Sequence, residues 1–158
     1  KSMIHFSITT DIASHIHILK HRIGLSTNSE SSRYRELKDD KYHIPSDWLE
    51  DEKNRFIEFQ TQIYSEYHGC IGRLISQGFT RQRAKESARY YLTYANQIKQ
   101  DVSFNFRSFV HFQELRNTKE SQVEIREIAE EMRKQLQNLK NKDFKYSLKA
   151  FNLWKGNI

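Results

Sequence analysis

The sequence predicts an α/β fold on three observations. Two stretches rich in β-forming residues, Met3 to Ile8 and Ile98 to Phe104, stand far apart in the chain. Between them apolar residues recur at helical spacing, most clearly through Leu49, Phe56, Phe59, Ile63, Tyr67, Ile71 and Leu74, and a helix that long favours a packed helical layer. Short polar side chains precede the helical runs at Asp11, Ser46, Thr80 and Asn105, where N-caps belong.

In chain order, Met3 to Ile8 forms a strand and Asp11 caps a helix carried by Ile12, His15, Ile16 and Leu19. This helix delivers Lys20, His21 and Arg22 at its C-terminal end, where cations interact favourably with the helix dipole. A polar loop leads to Tyr34, and an extended or irregular segment leads on to Pro45, the only proline. The long helix starts from Ser46 as its cap and ends at Gly78, a residue that suits a helix C-terminus. Thr80 caps a helix from Arg81 to about Tyr91, which presents Arg89. After the second strand, Asn105 caps a helix through Phe106, Phe109, Val110 and Leu115, and a last helix runs from about Glu120 to Leu139. Arg107 and Arg116 fall roughly 13 Å apart along the axis of the Asn105 helix, able to serve opposite ends of a long ligand. The tail after Asn141 is the stretch expected to be weakly ordered.

The 158 residues suffice for one domain with a core, to which a 13% aromatic content contributes despite a mean hydropathy of −0.84. A net charge of +6 favours an acidic partner: nucleic acid, a nucleotide or an anionic cofactor. Cys70 is the only cysteine, so no internal disulfide forms, and the composition suits a reducing interior. No apolar run nears the roughly 20 residues of a membrane span and no signal-peptide pattern opens the chain, so a cytoplasmic location is expected. The chain starts with Lys1 and not Met, which leaves a fragment or a processed product open.

Lys20 to Tyr34 is the most informative stretch. Lys20, Arg22, Arg33 and Arg35 stand against only Glu30 and Glu36, while Ser26, Asn28, Ser31 and Ser32 add short donors of the kind that grip phosphate and base edges. It reads as an anion-binding loop. No glycine pattern of a Rossmann or phosphate-loop type is present, so side chains must hold any dinucleotide. His17 and His21 have i, i+4 spacing, but no Cys or carboxylate at ligand spacing joins them and no metal is expected. Ser31 lacks the elbow and the positioned base of a serine nucleophile. Arg73, Arg81, Arg83, Arg126 and Arg133 read as surface ion-pairing residues.

The same stretch resembles the signature of the flavin-dependent thymidylate synthases, in which Arg-His-Arg precedes an Asn, a Ser and an Arg-Tyr pair. Here it stands as Lys20-His21-Arg22, Asn28, Ser31 and Arg33-Tyr34. Lys20 replaces the first Arg, and the spacer from Arg22 to Ser31 is one residue longer than usual, which places a bulge at Gly24. A second block is also similar to the family: Ala88-Arg89, Asn105-Phe106-Arg107, Leu115-Arg116 and Gln122-Val123-Glu124-Ile125-Arg126. By this resemblance residues 1–158 correspond to a single domain, the C-terminal two-thirds of the family's catalytic domain.

The resemblance implies a mixed sheet carrying a layer of long helices, in a homotetramer with shared active sites. It implies reductive methylation of dUMP to dTMP with methylenetetrahydrofolate as carbon donor, NADPH as reductant and FAD as hydride carrier. Lys20, Ser31, Arg33, Arg89 and Arg116 match positions that hold dUMP, with Arg116 catalytic. His21, Arg22, Asn28, Asn105, Arg107 and His111 match positions on the FAD side. His17 stands where many members have Gln, His111 where many have Asn, and Glu120 where many have a His near the flavin. A different flavin-dependent pyrimidine modification such as hydroxymethylation, a basic nucleic-acid-binding protein, and a subunit that keeps the fold without turnover are the alternatives.

Overall fold

The computed structural model describes residues 3–30, 36, 39–140 and 144–155. Its elements in order are β1 (Met3–Asp11), α1 (Ile12–Leu19), β2 (Leu25–Ser29), α2 (Glu50–Ser76), α3 (Arg81–Ala88), β3 (Gln97–Asn105), α4 (Phe106–Arg116), α5 (Val123–Gln137) and α6 (Lys145–Ala150). The expected combination of strands and helices holds, in α+β form. The strands form one sheet in the order β1-β3-β2. His5 meets Ser103 and the Ile12 amide meets the Asn96 carbonyl, so numbers fall along β3 as they rise along β1. The Asn105 amide on the Gly24 carbonyl and the Glu30 amide on the Lys99 carbonyl give β2 the same relation to β3. The sheet is therefore antiparallel where a mixed one is expected, because β3 inserts between β1 and β2, which run in the same direction and never pair.

Other boundaries also depart from expectation. Leu25–Ser29 is a strand and not open loop: its backbone pairs with β3, which a polar Ser-Thr-Asn composition does not advertise. The α2 helix begins at Glu50, with Ser46 in a preceding turn and no side-chain cap at Leu49; Glu50, Asp51 and Glu52 instead meet the positive end of the helix dipole. Its C-terminus is a Schellman turn, with the Phe79 amide on the Leu74 carbonyl, the Gly78 amide on the Ile75 carbonyl, and Gly78 at φ 91°. Asp11, Thr80 and Asn105 do cap, accepting from the amides of Ser14, Arg83 and Ser108. A 3-10 turn, Arg89–Tyr91, continues α3. Glu120 sits in a turn and α5 begins only at Val123.

The chain falls into two compact units, one of Lys1–Ser7, His17–Thr27 and Asp101–Ile158, the other of Ile8–Ile16 and Asn28–Gln100. In the first, Phe6 stacks on Phe109 at 5.9 Å and meets Phe104 edge-on, while Phe104 touches Phe112 at 5.3 Å between ring centres. Buried Ile125, Ala129, Met132 and Leu136 form the inner stripe of α5, which packs on α4. The tail contributes here, contrary to expectation. Leu148 of α6 is fully buried, and Phe144 lies flat on Phe106 with ring centres 5.9 Å apart. Arg133 is also no surface residue: only 3% exposed, it forms a two-pronged pair with Glu130 and donates to the Leu153 carbonyl. That pairing, with help from Asn117, holds the Glu130 carboxyl far below the usual carboxylate range.

In the second unit, α2 and α3 pack through Tyr64, Tyr67, Ile71, Ala84 and Ala88, with Cys70 partly buried against them. The Tyr64 hydroxyl lies 2.7 Å from Asn96 Oδ1 and 2.8 Å from the Lys41 carbonyl, which ties α2 to the start of β3. Arg73, Arg81 and Arg83 pair with Glu66, Glu36 and Glu86 on the surface, as expected.

Candidate functional site

Seven of the expected site residues gather on two pieces of the first unit, the end of α1 with the turn after it, and α4. The α1 helix stops at Leu19, and the His21 amide donates to the Ile18 carbonyl at 3.0 Å. This leaves Lys20 and Arg22 exposed and turns His21 half inward. The chain then turns at Gly24, which takes a φ of 65° open to glycine. Gly24 rests on the N-terminus of α4: a Cβ at this position would lie 2.0 Å from Asn105 Nδ2 and 2.3 Å from Ser108 Oγ. Ser108 Oγ also donates to the Ile23 carbonyl at 2.7 Å. Asn105 therefore does two jobs, as cap for α4 and as seat for the Gly24 turn. No sequence signal singled out Ser108.

One contact organises the site. Arg116 Nε, at the last residue of α4, donates to His21 Nε2 at 3.1 Å. The acceptor nitrogen must carry a lone pair, so His21 is neutral there with its proton on Nδ1. Its environment agrees: burial first, then the charges of Arg116, His111 and His17, push the imidazole down to about 4. The ring meets Phe112 edge-on at 5.0 Å and His111 at 6.1 Å. His17 Nδ1 is buried without a hydrogen-bond partner. Among the described residues, no carboxylate pairs with Arg116 or His21. The cluster is thus rich in donors and short of acceptors, and an anion bearing several acceptor oxygens complements it.

Arg107 and His111 complete the seven, and four expected residues lie elsewhere. Arg107 is exposed in the first turn of α4, and His111 is exposed with Glu114 at 3.9 Å. Asn28 on β2 and Arg89 in the 3-10 turn belong to the second unit, and both are exposed. Ser31 and Arg33 lie outside the described residues. His17 and Phe112 are additions to the expected set; the sequence marks His17 by its i, i+4 spacing with His21 and as a departure from the family pattern, and Phe112 reads as ordinary core. No helix among the described residues is long and apolar enough to cross a membrane.

The sequence model described as "Thymidylate synthase complementing protein" matches residues 1–139. The chain belongs to this family. Within the thymidylate synthase complementing family, it is 34% identical over 117 residues to a flavin-dependent thymidylate synthase of Nitratidesulfovibrio vulgaris, covering 73% of this chain and 47% of that protein. It is 31% identical over 140 residues to a flavin-dependent thymidylate synthase of Clostridium tetani, covering 82% and 56%. The chain thus spans about half the length of these relatives. The fold is that of the UMP/dUMP methylase PolB from Streptomyces cacaoi bound with 5-Br dUMP, with a TM-score of 0.74 over 98% of this chain and 74% of that one, at 23% identity.

Proposed function

We propose that the chain is part of a flavin-dependent thymidylate synthase that methylates dUMP to dTMP, with methylenetetrahydrofolate as carbon donor and NADPH as reductant, in a homotetramer with shared active sites. The carrying observation is Arg116, half-buried at the end of α4 with Nε committed to a neutral acceptor and, among the described residues, no carboxylate paired with it. Activating C5 of uracil for attack on a carbon donor polarises the ring and pushes negative charge toward its oxygens. A fixed guanidinium stabilises that charge without a protein nucleophile. Lys20, exposed next to His21, adds a positive charge, and Ser31, Arg33 and Arg89 take the remaining dUMP roles by resemblance, the arginines as bidentate phosphate donors.

The flavin is proposed as FAD, and the donor chemistry fits it: exposed Arg22 and Arg107 suit its phosphates, and the buried Nδ1 of His17 and the Nδ1–H of His21 offer partners to a polar ring. His111 and Asn28 are the further candidates on that side. When bound, the flavin supplies the hydride that completes the methyl group. The chain's own residues bind, orient and balance charge. Conversion of labelled dUMP to dTMP at saturating dUMP tests the reading. Arg116→Ala is expected to lower turnover by about 10²–10³-fold, the scale for loss of one charge-stabilising donor, with the melting temperature nearly unchanged. An unchanged rate removes Arg116 from the mechanism, and hydroxymethylated product in place of dTMP replaces the reaction.

A further inference from the structure

We infer, resting on that reading, that His21 is the positioning residue for Arg116, holding the guanidinium by Nε so that both terminal nitrogens point as a fork at the substrate anion. Phe112 and Arg116 are four residues apart and share one face of α4. His21 wedges against both, its ring edge-on to Phe112 at 5.0 Å and its Nε2 3.1 Å from Arg116 Nε. Neither support is loose: Phe112 is fully buried, and the His21 backbone is tied to the Ile18 carbonyl.

Nε is the one guanidinium nitrogen outside the terminal fork. Bonding it fixes the plane of the group and leaves four N–H donors for two acceptors on a ligand. The chemistry of the acceptor matters as much as its place. A carboxylate accepting from Arg116 would neutralise the charge that the ligand has to meet. A neutral imidazole accepts the hydrogen bond and leaves that charge intact. Burial and the neighbouring Arg116, His111 and His17 keep the imidazole neutral, so the arrangement sustains itself at ordinary pH. His21 thereby acts through Arg116, in addition to the flavin-side role that the resemblance gives it.

A double-mutant cycle on the full chain, read by calorimetric titration with dUMP, tests this. His21→Leu removes the acceptor and is expected to weaken dUMP binding by about tenfold to a hundredfold, the range for a hydrogen bond to a charged group. His21→Gln, which keeps an acceptor oxygen, should recover most of the affinity. In an Arg116→Ala background, His21→Leu should add almost nothing. Equal losses from His21→Leu in both backgrounds would overturn the positioning role while leaving the proposed function standing. If Arg116→Ala itself leaves dUMP binding unchanged, the proposed function fails, and the positioning role with it. Nitrogen NMR of the unaltered protein is independent of variant folding: a slowly exchanging Arg116 Nε–H and an unprotonated His21 Nε2 are expected, and a freely exchanging Nε–H contradicts the inference.

Discussion

At Gly24 a single absent methyl group decides whether the turn after α1 can seat on α4. A side chain there would suffer both the φ of 65° and the approach to Asn105 and Ser108, the nearer only 2.0 Å away. Gly24→Ala is expected to lower unfolding free energy by roughly 1–3 kcal/mol, from backbone strain and overpacking together. Urea denaturation measures it, and an unchanged midpoint would show that the seat is not built as described. His21 gives a second handle at this scale. Its imidazole titrates near 6.5 in the unfolded chain and about 4 in the folded one. Between these values the unfolded state binds the extra proton, so stability falls as pH drops from 6.5 toward 4 and is fully present above 6.5. Comparing denaturation at pH 7 and pH 4.5, His21→Gln should lose less stability than the unaltered chain. Equal losses would place the acid sensitivity elsewhere.

Among elements, caps were legible and tertiary anchors were not. Asp11, Thr80 and Asn105 announce themselves as short polar residues before helical runs, and the structure uses each as a cap. Ser46 offers the same signal but stands four residues before Glu50, and the acidic first turn takes over its task. The β2 strand escaped notice because Leu25–Ser29 carries almost no apolar pattern and exists through its backbone pairing with β3. Arg133 escaped because an i, i+3 pair with Glu130 looks the same in sequence whether it is exposed or buried. The α6 helix escaped because its lysines suggest a loose tail, while Phe144, Phe151 and Leu148 dock on distant residues such as Phe106. Leu148→Ala should therefore cost about 2–5 kcal/mol, as at a filled core position. A change below 0.5 kcal/mol in chemical denaturation would show α6 to be a passenger.

For the whole molecule, family membership was readable because two blocks of polar residues, 20–34 and 88–126, carry it in order, whereas the geometry between His21 and Arg116 was not: they stand 95 residues apart and meet only through folding. The same long-range meeting turns an unexceptional +6 charge into a local site. Basic charge alone equally suits a nucleic-acid binder, whose affinity would fall steeply with salt and depend on phosphate count more than on any one arginine. A nucleotide enzyme concentrates its dependence on Arg116. The most direct test is calorimetric titration of the chain with dUMP at low and moderate salt, with and without Arg116→Ala. Saturable binding of one dUMP per site is expected, persisting at moderate salt and weakened at least tenfold by the substitution, about 1.4 kcal/mol. Absence of saturable dUMP binding, or binding indifferent to Arg116, would contradict the proposed function.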